Sequence, residues 1–160
     1  MVLASLFAAL TAVCAWLSVP IPPMAFTLQT FAVLLTLGVL GGKWGTVSIL
    51  LYLLLGVVGL PVFSGFRGGA VALLDATGGF LWGFPVAALV YWLLEKPGKL
   101  SAMIAAQLTC YVCGCLWFTV YAGGSGLWAA ALTCVAPYLI PDGVKLWLAF
   151  HVSRRLEKHV

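Results

Sequence analysis

Pro137-Tyr138-Leu139-Ile140-Pro141-Asp142-Gly143-Val144-Lys145 stands near the end of a chain that is otherwise mostly apolar. Asp142 and Lys145 are three residues apart, so on a helix they share one face, with Cβ atoms roughly 5–6 Å apart. Pro141 cannot continue a helix from upstream, but it fits a first helical position. The spacing therefore predicts a helix opening at about Pro141, with Asp142 in its first turn, where the macrodipole favours a carboxylate. Taken alone, such a pair either closes on itself or faces a ligand. Its surroundings decide between the two.

Of the 160 residues, 64% are hydrophobic and only 8% charged, far more apolar surface than a soluble domain needs. A bilayer core of about 30 Å calls for apolar helical runs of roughly 17–25 residues. The expected fold class is an all-α integral membrane protein, one domain over 1–160, a compact bundle of six transmembrane helices. The spans fall at 2–19, 25–40, 46–60, 78–94, 100–122 and 141–157. No small-residue cleavage site stands apart from the first run, which reads as a retained span. The net charge of +4 is not a nucleic-acid footprint, because Lys and Arg cluster between apolar runs and form no stripe with aromatics. Cys110, Cys113 and Cys115 lie inside one apolar run, without the polar surroundings of a zinc site, and Cys14 and Cys134 complete an odd number. Buried cysteine packs as a small hydrophobe, so no disulfide framework, metal site or cofactor is expected.

In the first span Ala4, Ala8 and Ala12 recur every four residues, which lets another backbone approach closely. That backbone belongs either to this chain or to a partner subunit. Pro20-Ile21-Pro22-Pro23 ends the helix. Thr27, Gln29 and Thr30 open the second span and should face the bundle interior or a cavity. Gly41-Gly42-Lys43-Trp44-Gly45 makes a tight turn. It is no phosphate loop, since Leu37 and Trp44 stand where that motif needs Gly and Ser or Thr. The connection 61–77 is rich in Gly and aromatics and lightly charged, unlike a solvated linker, and reads as a lid. Gly79 and Gly83 offer a close helix contact, and Pro85 a kink. Gly123-Gly124-Ser125-Gly126 breaks the chain before 127–136, expected to be a short re-entrant or interfacial helix. No internal repeat supports an inverted-repeat transporter.

With six spans and a cytoplasmic N-terminus, both termini are cytoplasmic. The inner side then carries Lys43, Lys96, Lys99, Arg154, Arg155 and Lys158, and the outer side only Arg67 and Lys145, as the positive-inside rule asks. Arg67, Asp75, Asp142 and Lys145 share the outer side with the aromatic loop. That grouping predicts an outward-facing pocket closed by residues 61–77.

Four motifs carry a resemblance over nearly the whole chain. They are Thr27-Leu28-Gln29-Thr30, then Leu53-Leu54-Leu55-Gly56-Val57-Val58-Gly59-Leu60-Pro61-Val62-Phe63, then Thr77-Gly78-Gly79-Phe80-Leu81-Trp82-Gly83-Phe84, and Pro141-Asp142-Gly143-Val144-Lys145. In this order they resemble the BioY family, the biotin-specific substrate-binding S component of energy-coupling-factor (ECF) transporters. The resemblance implies an ECF S-component fold in a prokaryotic cell membrane, with six helices burying one biotin near the outer face. It also implies assembly with a transmembrane coupling protein and two ATPase subunits. The first-helix alanines, Ala4, Ala8 and Ala12, resemble those that meet the coupling protein. One departure is Tyr138, where the family more often has phenylalanine.

Biotin has an apolar bicycle, a ureido group and a carboxylate tail. A site that hydrogen-bonds such a polar group rejects analogues lacking it, because its own groups would be left unpaired. Asp142 can accept from the ureido N–H groups, and Lys145 or Arg67 can pair with the carboxylate. Phe63, Phe66, Phe80 and Tyr138 supply apolar walls, and Gln29 and Thr77 complete the expected substrate-binding set. The alternatives are an S component for another vitamin, an intramembrane enzyme, or a scaffold without ligand. An enzyme needs a nucleophile with a base in reach, whereas His151 and His159 lie toward the opposite side from the outer acids.

Overall fold

The structure is a computed structural model describing residues 1–21, 24–124 and 126–157. Pro22, Pro23, Ser125, Lys158 and His159, on which parts of the sequence reading rest, lie outside the described residues.

Helix α1 (Val2–Trp16) buries Ala4, Phe7, Ala8, Thr11, Ala12 and Ala15. It turns Leu3, Leu6, Leu10 and Val13 outward, two stripes at helical spacing. An antiparallel hairpin follows, β1 (Ser18–Ile21) with β2 (Met24–Thr27), in the register Val19↔Phe26. The second span was expected to open at residue 25. These residues pair as strands instead, and the helix starts at Gln29.

Helix α2 (Gln29–Val57) is a single helical element of 29 residues, with one break at Gly41 (φ 73°, ψ 175°). In a straight helix Gln29 and Tyr52 would stand about 35 Å apart. Gln29 Nε2 lies 2.8 Å from the Tyr52 hydroxyl, so the chain reverses at Gly41 and the two arms pack side by side. Glycine adopts this positive φ without a Cβ penalty.

Helix α3 (Gly78–Leu94) packs on α4 (Lys99–Tyr121) through the predicted small residues: a Cβ on Gly83 would come within 3.1 Å of Cys113 Cβ. Helix α5 (Leu127–Cys134) leads through a single tight turn, Ala136–Tyr138, into α6 (Leu139–Leu156). The expected six separate spans are therefore corrected to five helices of 15 residues or more among those described, α1 to α4 and α6, plus the short α5. The expected spans 25–40 and 46–60 fall on the two arms of α2, which the non-helical Gly41 joins into one element. Three stretches, Gln29–Val57, Lys99–Tyr121 and Leu127–Leu156, are long and apolar enough to cross a membrane, and Val2–Trp16 and Gly78–Leu94 are shorter apolar helices. The last helix opens at Leu139, two residues before Pro141. Pro141 falls in the first turn, where backbone N–H groups lack intrahelical partners, so it removes no hydrogen bond.

At the bend, Glu95 Oε2 accepts from the Gly42 N–H at 2.6 Å. Lys99 Nζ donates to the Gly38 carbonyl at 2.8 Å and to Glu157 at 2.6 Å. An anion thus meets the amino end of the second arm of α2 and a cation the carboxyl end of the first, the arrangement the helix dipoles favour.

The alanine stripe of α1 packs against α2 within the chain. Ala4, Ala8 and Ala12 are 4%, 1% and 6% exposed, and Ser48 Oγ of α2 donates to the Ala4 carbonyl at 2.8 Å. The close approach that small residues allow is taken up by α2.

Candidate functional site

Asp142 and Lys145 project from the first two turns of α6 and are each 6% exposed. Lys145 Nζ lies 2.8 Å from Asp142 Oδ1, 2.6 Å from the Thr27 carbonyl and 3.4 Å from Thr30 Oγ1. An ammonium has three donors, and each has an acceptor here. The same nitrogen sits 3.8 Å from the centroid of the Phe26 ring, a cation–π contact in a desolvated setting. Phe26 in turn stacks on Tyr138 with centroids 6.4 Å apart. Asp142 Oδ2 accepts from the Tyr111 hydroxyl at 2.8 Å and from Gln107 Nε2 at 3.4 Å. A buried ion pair persists only when its remaining lone pairs and protons are satisfied in this way.

This cluster forms one wall of a cavity of about 240 Å³. A second wall is the segment 25–30, with Phe26, Thr27, Gln29 and Thr30. Helix α3 contributes Phe80, Leu81 and Phe84, and residues 63–77 contribute Phe63, Ser64, Arg67, Ala72, Asp75, Ala76 and Thr77. Of the residues expected from the sequence, Gln29, Phe63, Arg67, Thr77, Phe80, Tyr138, Asp142 and Lys145 line this one cavity.

Phe66 does not line it. The residue is 64% exposed with φ at +57°, and its ring stacks on Trp16 at 5.1 Å. The positive φ at Gly65 (71°) and Phe66 turns the chain, so Phe63 and Phe66 point different ways. Phe63 is 2% exposed and meets Tyr52 edge to face at 5.6 Å. It also fills the space a Cβ on Gly56 would occupy.

Residues 61–77 are anchored on three helices. Trp16 Nε1 donates to the Pro61 carbonyl at 2.7 Å, the Gly69 N–H to the Gly56 carbonyl at 2.7 Å, and Trp117 Nε1 to the Asp75 carbonyl at 2.9 Å. Arg67 pairs with Asp75, their side chains 46% and 36% exposed. The Ala76 N–H, and then Arg67, hold the Asp75 carboxyl below its ordinary range.

Tyr111, Gln107 and Phe26 were not foreseen. Gln107 and Tyr111 are four apart in an apolar run, hence on one helix face. That spacing is the signal by which they could have been found. Phe26 was hidden because its segment read as helix.

The arrangement combines apolar aromatic walls, a buried carboxylate with hydroxyl and amide partners, and a half-exposed guanidinium on the loop. It suits a small amphiphilic molecule with hydrogen-bonding groups at one end and an anionic group at the other.

A model of the BioY family matches residues 1–160. The probable biotin transporter BioY of Pyrococcus horikoshii is 39% identical over 155 residues, covering 97% of this chain and 94% of that protein. The biotin transporter BioY of Thermotoga maritima is 38% identical over 160 residues, with the same coverages of 97% and 94%. Among solved structures, the S-component for biotin from an ECF-type ABC transporter superposes with a TM-score of 0.89 at 24% identity, covering 97% of this chain and 88% of that one. With its fold matched along the same length as its sequence, the chain belongs to the BioY family.

Proposed function

We propose that this chain is the biotin-binding S component of an energy-coupling-factor transporter, holding the vitamin in the cavity beneath residues 61–77. One observation carries the reading: the buried Asp142–Lys145 pair stands at the wall of a vitamin-sized cavity, among aromatic rings. A carboxylate accepts about four hydrogen bonds. Lys145, Tyr111 and Gln107 occupy three of these on Asp142, leaving room for a ureido N–H. The donors of Lys145 are all engaged, so the biotin carboxylate falls to Arg67. That guanidinium is half exposed and bonds to Asp75 and the Ser64 carbonyl. Phe63, Phe80, Phe84 and Tyr138 enclose the bicycle.

The turns at 41–43 and 95–99 and the end of α6 meet through Glu95, Lys99 and Glu157. This gathers Lys43, Lys96, Lys99, Arg154 and Arg155 at the end away from the cavity. By the positive-inside rule that end is cytoplasmic, both termini lie there, and the pocket faces outward. Uptake would proceed with a coupling protein and two ATPase subunits, in a prokaryotic cell membrane. Native mass spectrometry of the detergent-purified protein tests the reading. One biotin adduct per chain is expected, and its absence after growth on biotin-rich medium counts against it.

A further inference from the structure

Gln29 is 5% exposed and lines the cavity. Its Nε2 donates to the Tyr52 hydroxyl at 2.8 Å, and that hydroxyl donates to the Val62 carbonyl at 3.0 Å. Tyr52 is fully buried, with its ring against Phe63. A phenol has one proton. Val62 O accepts from no other group among the described residues, so the proton is committed to it. The hydroxyl must therefore accept from Gln29. This fixes which end of the amide meets Tyr52, an orientation that an isolated glutamine would leave open. What remains is Oε1 and one N–H of Gln29, which have no partner among the described residues.

A buried amide left half satisfied is costly, and the unused half is a carbonyl beside an N–H. A cyclic urea presents the complementary edge, an N–H beside a carbonyl. We infer that Tyr52 is a positioning residue for substrate selection: its hydroxyl, pinned by Val62 at the root of the loop, locks the Gln29 amide so that Oε1 accepts a ureido N–H. The inference rests on the biotin reading and deepens it. Tyr52 touches no ligand; it acts through Gln29. Asp142 and Gln29 then hold the urea from two walls.

The test is a double-mutant cycle on the full chain in detergent or nanodiscs, titrated with biotin. Tyr52→Phe keeps the ring against Phe63 and removes only the hydroxyl. It is expected to weaken biotin about tenfold, the scale of one misplaced hydrogen bond, and Gln29→Ala to weaken it at least as much. If Tyr52 acts through Gln29, Tyr52→Phe in the Gln29→Ala background changes affinity by less than about twofold. A ring-N-methylated biotin gives a second readout. Wild type rejects it strongly, and Tyr52→Phe narrows the ratio because the amide is free to turn. Additive losses with an unchanged ratio overturn the inference, since Tyr52 would then serve packing alone. If Tyr52→Phe does not fold, Gln29→Glu asks the same question: a carboxylate cannot donate to Tyr52, and a loss of about tenfold or more is expected. Wild-type affinity in Gln29→Glu overturns the inference. A wild type that binds no biotin overturns the biotin reading and this inference together, whereas additivity with biotin bound overturns this inference alone.

Discussion

The Tyr111 hydroxyl of α4 donates to Asp142 Oδ2 in the first turn of α6 at 2.8 Å. The bond joins two helices through a buried charge, where a hydrogen bond contributes about 1.5–3 kcal/mol. Tyr111→Phe should lower stability by that amount and leave the Asp142–Lys145 contact in place. Unfolding of the purified variant in detergent measures this, and a melting temperature equal to wild type would show that Tyr111 does not hold Asp142.

Asp142→Asn should cost more, because it leaves the Lys145 charge buried with only neutral acceptors. Removing one member of a buried pair costs about 3–5 kcal/mol. The double variant Asp142→Asn with Lys145→Met removes both charges and should regain most of that stability without regaining biotin affinity. Thermal unfolding read beside a biotin titration separates the two effects. Recovery of both would take the pair out of the binding site.

Gly65 sits at φ 71°, a region a β-branched residue enters only with strain. Gly65→Val should reshape residues 61–77, speeding biotin release while leaving helical content unchanged. In wild type, hydrogen exchange should slow across 61–77 when biotin is added, more than across the 95–99 turn. Equal exchange in that segment with and without biotin would show that it does not close over the ligand.

The Pro141-Asp142-Gly143-Val144-Lys145 stretch announced its helix and its ion pair because both follow from local spacing and the macrodipole. The Gly41-Gly42 turn was legible for a similar reason: adjacent glycines there allow a reversal. What the sequence could not give was direction. Ala4, Ala8 and Ala12 form a stripe whichever neighbour they meet, and only the folded chain shows α2 there, with Ser48 on the Ala4 carbonyl. Phe63 and Phe66 read alike as wall residues until the positive φ at Gly65 and Phe66 sends the second ring to Trp16. The pairing of β1 with β2 escaped notice because an apolar segment of four residues fits strand and helix equally well.

Asp75 gives a pH prediction. Its carboxyl is held below the ordinary value of 3.8 by the Ala76 N–H and by Arg67. A depressed folded pKa contributes stability that is present above the unfolded value and is lost as pH falls through the folded one. The stability gap between wild type and Asp75→Asn should therefore persist from neutral pH down to 3.8 and disappear only below it. For a pair this exposed the gap should be no more than about 1 kcal/mol. A gap that closes well above 3.8 would mean that Asp75 is not paired in solution.

The most direct measurement is calorimetric titration of the detergent-purified chain with biotin, beside Arg67→Gln. The account predicts saturable binding at one biotin per chain. It also predicts that Arg67→Gln weakens binding by about tenfold or more, as expected when a charge-assisted bond to the carboxylate is lost. No saturable heat from wild type, confirmed by a separate binding readout, would contradict the account at its centre.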